Sequence, residues 1–247
     1  MTYQHFASFY DRLMNNVPYH LWLEYFDRRI HSTNQKVLDL GCGTGAIAIP
    51  LAQKGFQVTG LDLSEEMLTI ADEKARKEQV DIHFLQQSMT DLSLLPAHIF
   101  DTIICFCDSL NYLTDEQDVI KTVKGVHHLL KPGGAFMFDV HSIEKIEKIF
   151  LDQTFVSTDD DISFIWNCFE GDEPYSIDHE LSFFVYQKET GLYERFDEVH
   201  SQRTFSVDYY KQLLEQLGFI NIEISSDFQE QLSTGEKERI FFSCIKK

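Results

Sequence analysis

The segment Lys36 to Gly45, KVLDLGCGTG, constrains this chain more than any other. A short apolar run leads straight into glycines at alternate positions, Gly41, Gly43 and Gly45, and a helical pattern follows. Glycine is needed where backbone must pass close to a ligand or take a positive φ. A strand that ends in such a loop and opens a helix belongs to an α/β sheet with a ligand at its carboxyl edge. The spacing alone leaves two cofactors open. Gly41-x-Gly43-x-x-Ala46 satisfies the dinucleotide pattern. Asp39, two residues before the first glycine, would instead repel a pyrophosphate and suits a cofactor with a cationic amino group. Asp62, at the end of the next strand, can accept two hydrogen bonds from a ribose diol in either case.

Periodicity extends the pattern in both directions. Lys36–Leu40 reads as a buried strand, and Ala46–Lys54 as a helix stopped by Gly55 and slightly kinked by Pro50. Phe56–Leu61 is a second strand. Ser64 caps a helix to about Glu78, with Glu65 and Glu66 in its first turn. Asp81–Leu85 and Phe100–Cys107 are further strands. The capping-box pattern Thr114-Asp115-Glu116-Gln117 opens a helix to about Leu130. Lys131-Pro132-Gly133-Gly134 breaks it before a strand at Ala135–Val140. Strands alternating with helices give βαβ units and a mostly parallel, doubly wound sheet. From Asp159 to Arg203 the period changes to two, with turn signals at Gly171-Asp172 and Thr190-Gly191, which predicts an antiparallel insert. A helix at Ser206–Leu217 and two strands, Phe219–Ser225 and Arg239–Lys246, close the chain as an antiparallel edge pair. The expected organisation is a cofactor-binding domain of residues 1–150 and 205–247, with residues 151–204 as an antiparallel β lid.

Charge narrows the partners. Of 247 residues 40 are acidic and 21 basic, a formal charge of −19. Nucleic-acid affinity rests on Lys and Arg displacing counterions, so the balance argues against nucleic acid and against anionic membrane surfaces. The best local exception is Arg28-Arg29 with Lys74, Arg76 and Lys77. Five cysteines without a CxxC pair form neither a disulfide framework nor a zinc site. No metal-ligand spacing stands out, since adjacent His127 and His128 point to different faces of a helix. The first residues lack a signal-peptide pattern, and no apolar run reaches the roughly 18 residues that span a bilayer. A soluble, cytoplasmic protein is expected.

VLDLGCGTG, then GLDLS, then CDSLNYL after the fourth strand, then LKPGG before the fifth, follow the signature order of class I S-adenosylmethionine-dependent methyltransferases, which the chain resembles over residues 1–140 and more loosely over 205–247. The opening FYDRLMNNVPYHLW is similar to a bacterial small-molecule subgroup. The insert is similar in topology to the lid of sugar-amine and glycine-type N-methyltransferases. The resemblance implies a seven-stranded Rossmann-like sheet with an antiparallel last strand. It implies that Asp39, Gly41, Gly43 and Gly45 line the methionine and ribose portion of S-adenosylmethionine. Asp62 would bind the ribose hydroxyls, and Leu63 and Met67 would flank the adenine. Ser88 and Met89 stand where the family usually has an acid and an apolar residue against the adenine, so Ser88 departs from the pattern. Cys107 would lie beside the sulfonium. Tyr10, Tyr19 and Trp22 would fold over the cofactor as an N-terminal flap. Around the expected mouth, Asp108, Asn111, His141, His200 and Arg203 are the candidates for substrate contact or for a general base. The implied reaction is in-line methyl transfer to a small polar acceptor such as an amine. A tRNA or protein methyltransferase, a nicotinamide-dependent oxidoreductase and a non-catalytic cofactor-binding protein remain as alternatives.

Overall fold

A computed structural model describes residues 17–93, 95–158, 161–233 and 235–247. Helix α1 (Tyr19–Asp27) precedes strand β1 (Lys36–Leu40). Then come α2 (Ala48–Gln53), β2 (Gln57–Asp62), α3 (Glu65–Lys77), β3 (His83–Gln86), β4 (Phe100–Cys105), α4 (Glu116–Leu129) and β5 (Leu130–His141). A helical segment, Ile143–Lys145 widening into Ile146–Phe150, leads to β6 (Thr154–Ser157), β7 (Ile162–Glu170), β8 (Ser176–Gln187) and β9 (Leu192–Arg203). Helix α5 (Val207–Gln216) and strands β10 (Phe219–Ser226) and β11 (Arg239–Lys246) end the chain.

The main sheet has seven strands in the order β3-β2-β1-β4-β5-β11-β10. β1 to β5 pair in parallel, and β11 runs antiparallel between β5 and β10. The order reverses between β1 and β4, which opens a crevice at their carboxyl ends, the usual ligand position in such sheets. Strand side chains alternate between two cores. On one face Ile103, Phe136, Phe138 and Phe242 pack with Val119 and Val123 of α4 and Tyr210 of α5. On the other face Val37, Ile104, Met137 and Phe241 pack with Trp22, Tyr25 and Phe26 of α1 and Leu51 of α2. Each fully buried side chain of this size contributes roughly 1.5–3 kcal/mol. Both faces are therefore closed, which explains the near-continuous apolar runs of β1 and β4. β6, β7, β8 and β9 form a separate antiparallel sheet in that order; β7 to β9 fall where period-two alternation predicts strands, and β6 precedes that segment.

Several local expectations shift. The helix after the glycine loop starts at Ala48, two residues late, so Pro50 falls in its first turn. Little of the helical ladder is lost there, and the expected kink has no cause. Ser64 does cap α3, accepting from the Met67 amide at 3.2 Å. The cap of α4 is Asp115 rather than Thr114, with its carboxylate accepting from the Gln117 amide at 2.7 Å. β4 ends at Cys105, because Cys107 and Asp108 turn left-handed.

Candidate active site

The glycine loop occupies the β1 side of the crevice. Gly41, Gly43 and Gly45 have φ of +71°, +52° and +80°. A Cβ on Gly41 would stand 2.7 Å from Ser109 Cβ, so the loop lies against the turn that follows β4. Ser109 Oγ donates to the carbonyls of Phe106 (2.8 Å) and Gly41 (3.3 Å), tying the two sides together. A Cβ on Gly43 would meet nothing within 4 Å, so that part of the loop faces open space. Asp39 is buried below it, and its Oδ2 has no hydrogen-bond partner among the described residues. Burial first, and Asp62 second, push the Asp39 carboxyl up to about 7. An unpartnered buried carboxylate oxygen is costly unless a donor arrives, and the ammonium of an adenosyl-methionine cofactor is such a donor.

Asp62 carries a task that no motif announces. Its Oδ2 accepts from the Gly43 amide at 2.8 Å and its Oδ1 from the Ser64 amide at 2.9 Å. The carboxylate holds both the glycine loop and the start of α3. Beside it Leu63 is 70% exposed, an uncovered apolar surface on which a planar ring can lie. Met67 is half-buried and packs on Ile162, Phe183 and Val185 of the antiparallel sheet, which reaches over α3. The Ser88 hydroxyl is engaged locally with Thr90, through its hydroxyl at 2.8 Å and its amide at 3.2 Å. The Met89 methyl lies 3.4 Å from the Cβ position of Gly41.

On the β4 side, Cys107 and Asp108 take φ of +57° and +52° in succession. Left-handed backbone costs non-glycine residues of order 1–3 kcal/mol each and needs support. The support is Asp139 of β5. Its Oδ1 accepts from the Cys107 amide (2.9 Å) and from Trp22 Nε1 (2.8 Å); its Oδ2 accepts from the Asp108 amide (3.1 Å) and from Arg239. Four donors and no acceptor identify Asp139 as the carboxylate anion. Arg239 also donates to Asp108 Oδ1 at 2.7 Å and lies 4.9 Å above the Trp22 ring. Burial alone would raise the Asp108 carboxyl, but the His141 imidazole and the Arg239 guanidinium beside it outweigh burial and hold the pKa at about 2. Asp139 and Arg239 were not among the sequence candidates.

A chain of hydrogen bonds joins this turn to the antiparallel sheet. Trp166 Nε1 donates to His179 Nδ1 at 3.0 Å. Neutral His179 then carries its proton on Nε2 and donates to Gln202 Oε1 at 3.2 Å. Gln202 Nε2 donates to Asp108 Oδ2 at 3.1 Å. His141 Nε2 points at the same two acceptors, Gln202 Oε1 at 3.2 Å and Asp108 Oδ2 at 3.4 Å. Burial pushes His141 down to about 3 and His179 to about 4, so both rings are neutral at physiological pH.

Four expectations change. Asn111 is fully buried, and its amide is consumed by backbone: Nδ2 donates to the Arg203 carbonyl (2.7 Å) and Oδ1 accepts from the His141 amide (2.9 Å). Fully buried and held by backbone, it is not open to a substrate. His141 is too weak a base at a pKa of about 3 to take a proton near neutrality. His200 and Arg203, both on β9, point to opposite faces of it, because their separation is odd. His200 lies on the face of buried Glu198 and Gln202, with its ring edge-on to Tyr112 at 5.8 Å. Arg203 is spent elsewhere, donating to the Thr114 carbonyl at 2.9 Å and the Pro174 carbonyl at 3.2 Å. Trp22 is no flap: it is buried in α1, edge-on to Phe228 at 4.7 Å. Tyr19 is half-buried, its ring 6.2 Å from Trp22, and Tyr10 lies outside the described residues.

The same architecture appears in known proteins. A family model described as a methyltransferase domain matches residues 37–134, from β1 into β5. YqeM of Bacillus subtilis strain 168, named as a methyltransferase, is 46% identical over all of this chain and 98% of its own. A glycine/sarcosine N-methyltransferase of Aphanothece halophytica is 32% identical over 84% of this chain and 75% of its own. The crystal structure of an S-adenosylmethionine-dependent methyltransferase from Clostridium acetobutylicum superposes with a TM-score of 0.86 at 30% identity, covering 99% of this chain and 98% of that one. With its glycine loop, its acid at the end of β2 and its seven-stranded sheet, the chain belongs to the class I S-adenosylmethionine-dependent methyltransferases.

Proposed function

We propose that the methyl acceptor is a small polar molecule, an amine before other classes, held at the turn after β4. The observation that carries this reading is Asp108, an ionised and partly exposed carboxylate set on a left-handed turn beside the glycine loop. A carboxylate there accepts a hydrogen bond from an acceptor N–H and offsets the positive charge the nitrogen gains. Bound S-adenosylmethionine supplies a methyl group already activated on a sulfonium. The chain's residues have then to position the acceptor and exclude water. His141 acts as a neutral hydrogen-bond donor that aims Asp108. The antiparallel sheet, through Gln202, reaches the same carboxylate and forms one wall. The clearest test is transfer of a labelled methyl group onto a panel of small amines, with tRNA and protein substrates alongside. Labelling confined to tRNA or protein would overturn the reading. The basic residues that an RNA site would need are engaged singly: Arg29 over Tyr25 at 3.8 Å, Arg76 with Asp72 at 2.6 Å and Arg28 with the Phe228 carbonyl at 3.0 Å.

Two expected results concern the cofactor side, where Asp39, the loop glycines and Asp62 hold the methionine and ribose portions in this reading. Asp62→Ala is expected to weaken S-adenosylhomocysteine binding at least tenfold, about 1.4 kcal/mol, measured by calorimetry. An unchanged affinity removes Asp62 from the site. The second concerns pH. Asp39 is held protonated up to about pH 7 in the free protein. The ligand ammonium favours the ionised form, so binding releases a proton. Affinity for S-adenosylhomocysteine is therefore expected to rise from pH 5.5 to 7 and level off above it. Calorimetry in two buffers of different ionisation enthalpy counts the proton. Asp39→Asn should bind more weakly and lose this slope; a slope that persists in the variant belongs to another group.

A further inference from the structure

A cavity of about 360 Å³ opens between the helical segment after β5 and the loop that joins β10 to β11. Its charged lining is mixed, with three cations well enclosed. The side chains of Lys145, Lys237 and Arg239 are only 14%, 18% and 13% exposed, whereas Lys148 is 56% exposed. The acids stand at the mouth, with Glu238 64% and Glu236 82% exposed. A chain with a net charge of −19 thus encloses three positive side chains at this cavity.

The inner cations differ in how well they are satisfied. Arg239 is committed to Asp108 and Asp139. Lys145 is not committed. Its Nζ lies 3.7 Å from Glu238 Oε2, beyond hydrogen-bonding distance, and 5.0 Å from the Phe150 ring centre. It makes no hydrogen bond among the described residues. An ammonium drawn out of water without a hydrogen-bonded counter-charge is costly. Burial first, and the nearby Arg239 guanidinium second, lower the Lys145 pKa. An anion placed on Lys145 relieves both effects.

We propose that this cavity binds an oxyanion, a carboxylate or phosphate group carried by the methyl acceptor, on Lys145 Nζ with Arg239 behind it. The proposal rests on the acceptor lying at the turn after β4. Arg239 links the two places, because one guanidinium both lines the cavity and holds Asp108. An acceptor anchored here by its anion presents its other end towards Asp108. A zwitterion or a phosphorylated amine meets both demands, whereas a simple cationic amine meets only the second. The exposed carboxylates of Glu236 and Glu238 repel an anion, so the inner lysine supplies the selectivity.

The test uses the full-length protein saturated with S-adenosylhomocysteine, with inorganic phosphate and malonate as probes. Titration calorimetry is expected to show saturable binding of at least one of them. Malonate alone indicates a carboxylate-bearing acceptor, phosphate alone a phosphorylated one, and either supports the site. Lys145→Gln is expected to weaken that binding at least tenfold while S-adenosylhomocysteine affinity stays within twofold. Glu238→Gln, at the exposed mouth where folding is not at risk, is expected to tighten it. Absence of saturable binding by both probes overturns the proposal, as does wild-type binding in Lys145→Gln or no change in Glu238→Gln. Loss of S-adenosylhomocysteine binding in the unmodified protein would instead strike the cofactor assignment, so the two failures are separable.

Discussion

Arg239→Met is expected to lower the unfolding free energy by about 3–5 kcal/mol, the cost of breaking a buried ion pair and leaving a charge behind. Asp139 is fully buried, and Arg239 is the only full positive charge hydrogen-bonded to it among the described residues. Removing the guanidinium strands the Asp139 carboxylate and loosens Asp108 in the same step. The left-handed Cys107–Asp108 turn then loses its guanidinium support and keeps the two amide bonds to Asp139 and the Gln202 bond to Asp108. Urea denaturation measures the loss. The double variant Arg239→Met/Asp139→Asn should recover part of it, because the stranded charge is gone. A single variant within 1 kcal/mol of wild type would show that the pair is not a structural hub. Arg239→Lys is not expected to substitute, since one ammonium cannot reach two carboxylates with a planar fork.

Gly41→Ala is expected to reduce S-adenosylhomocysteine affinity by at least a hundredfold, about 2.7 kcal/mol. Two effects act together. The backbone at +71° disfavours any side chain, and the new methyl group would stand 2.7 Å and 2.8 Å from Ser109 Cβ and Oγ. Relief requires the loop and the post-β4 turn to move apart, which widens the crevice between β1 and β4. Gly43→Ala separates strain from obstruction. Its Cβ meets no protein atom within 4 Å, so it should fold nearly normally and still bind weakly, because the methyl group projects where a ligand passes. Equal affinities in Gly41→Ala and the unmodified protein, measured by calorimetry, would contradict the close packing of loop and turn.

The parts of this molecule that could be read from residue order are those with local causes. Apolar runs, glycines of positive φ and helix caps act within a few residues, so β1, the loop and α3 fall close to their expected places. The antiparallel sheet was legible from period-two alternation for the same reason. The Asp139–Arg239 pair was not, because its members are separated by 100 residues and each is an unremarkable charge in its own strand. Burial makes that pair, and burial depends on β11 inserting between β5 and β10. Residue type misled at Asn111 and Arg203 through a related effect. Both are polar and near the mouth, yet the backbone carbonyls and amides around them have first claim on their hydrogen bonds. His141 was right in position and wrong in role, since a strand-end histidine reads as a base until its enclosure is known.

The Asn111 amide has a consequence for how the molecule can be varied. One side chain grips the chain where it leaves the main sheet, at the His141 amide, and where it comes back, at the Arg203 carbonyl. Thr204 Oγ1 closes the same gap by donating to the His141 carbonyl at 2.6 Å. The four strands between these points therefore hang from a narrow neck. Closing a neck costs little more as the loop above it lengthens. A differently shaped β6–β9 unit grafted between residues 142 and 203 should leave the seven-stranded platform standing, provided that the hydrogen bonds of Gln202 to Asp108 and His141, the Arg203–Thr114 hydrogen bond, the His200–Tyr112 contact and the packing on Met67 are rebuilt. The wall beside Asp108 is thus a cartridge, exchangeable without rewriting the glycine loop or the sheet beneath it.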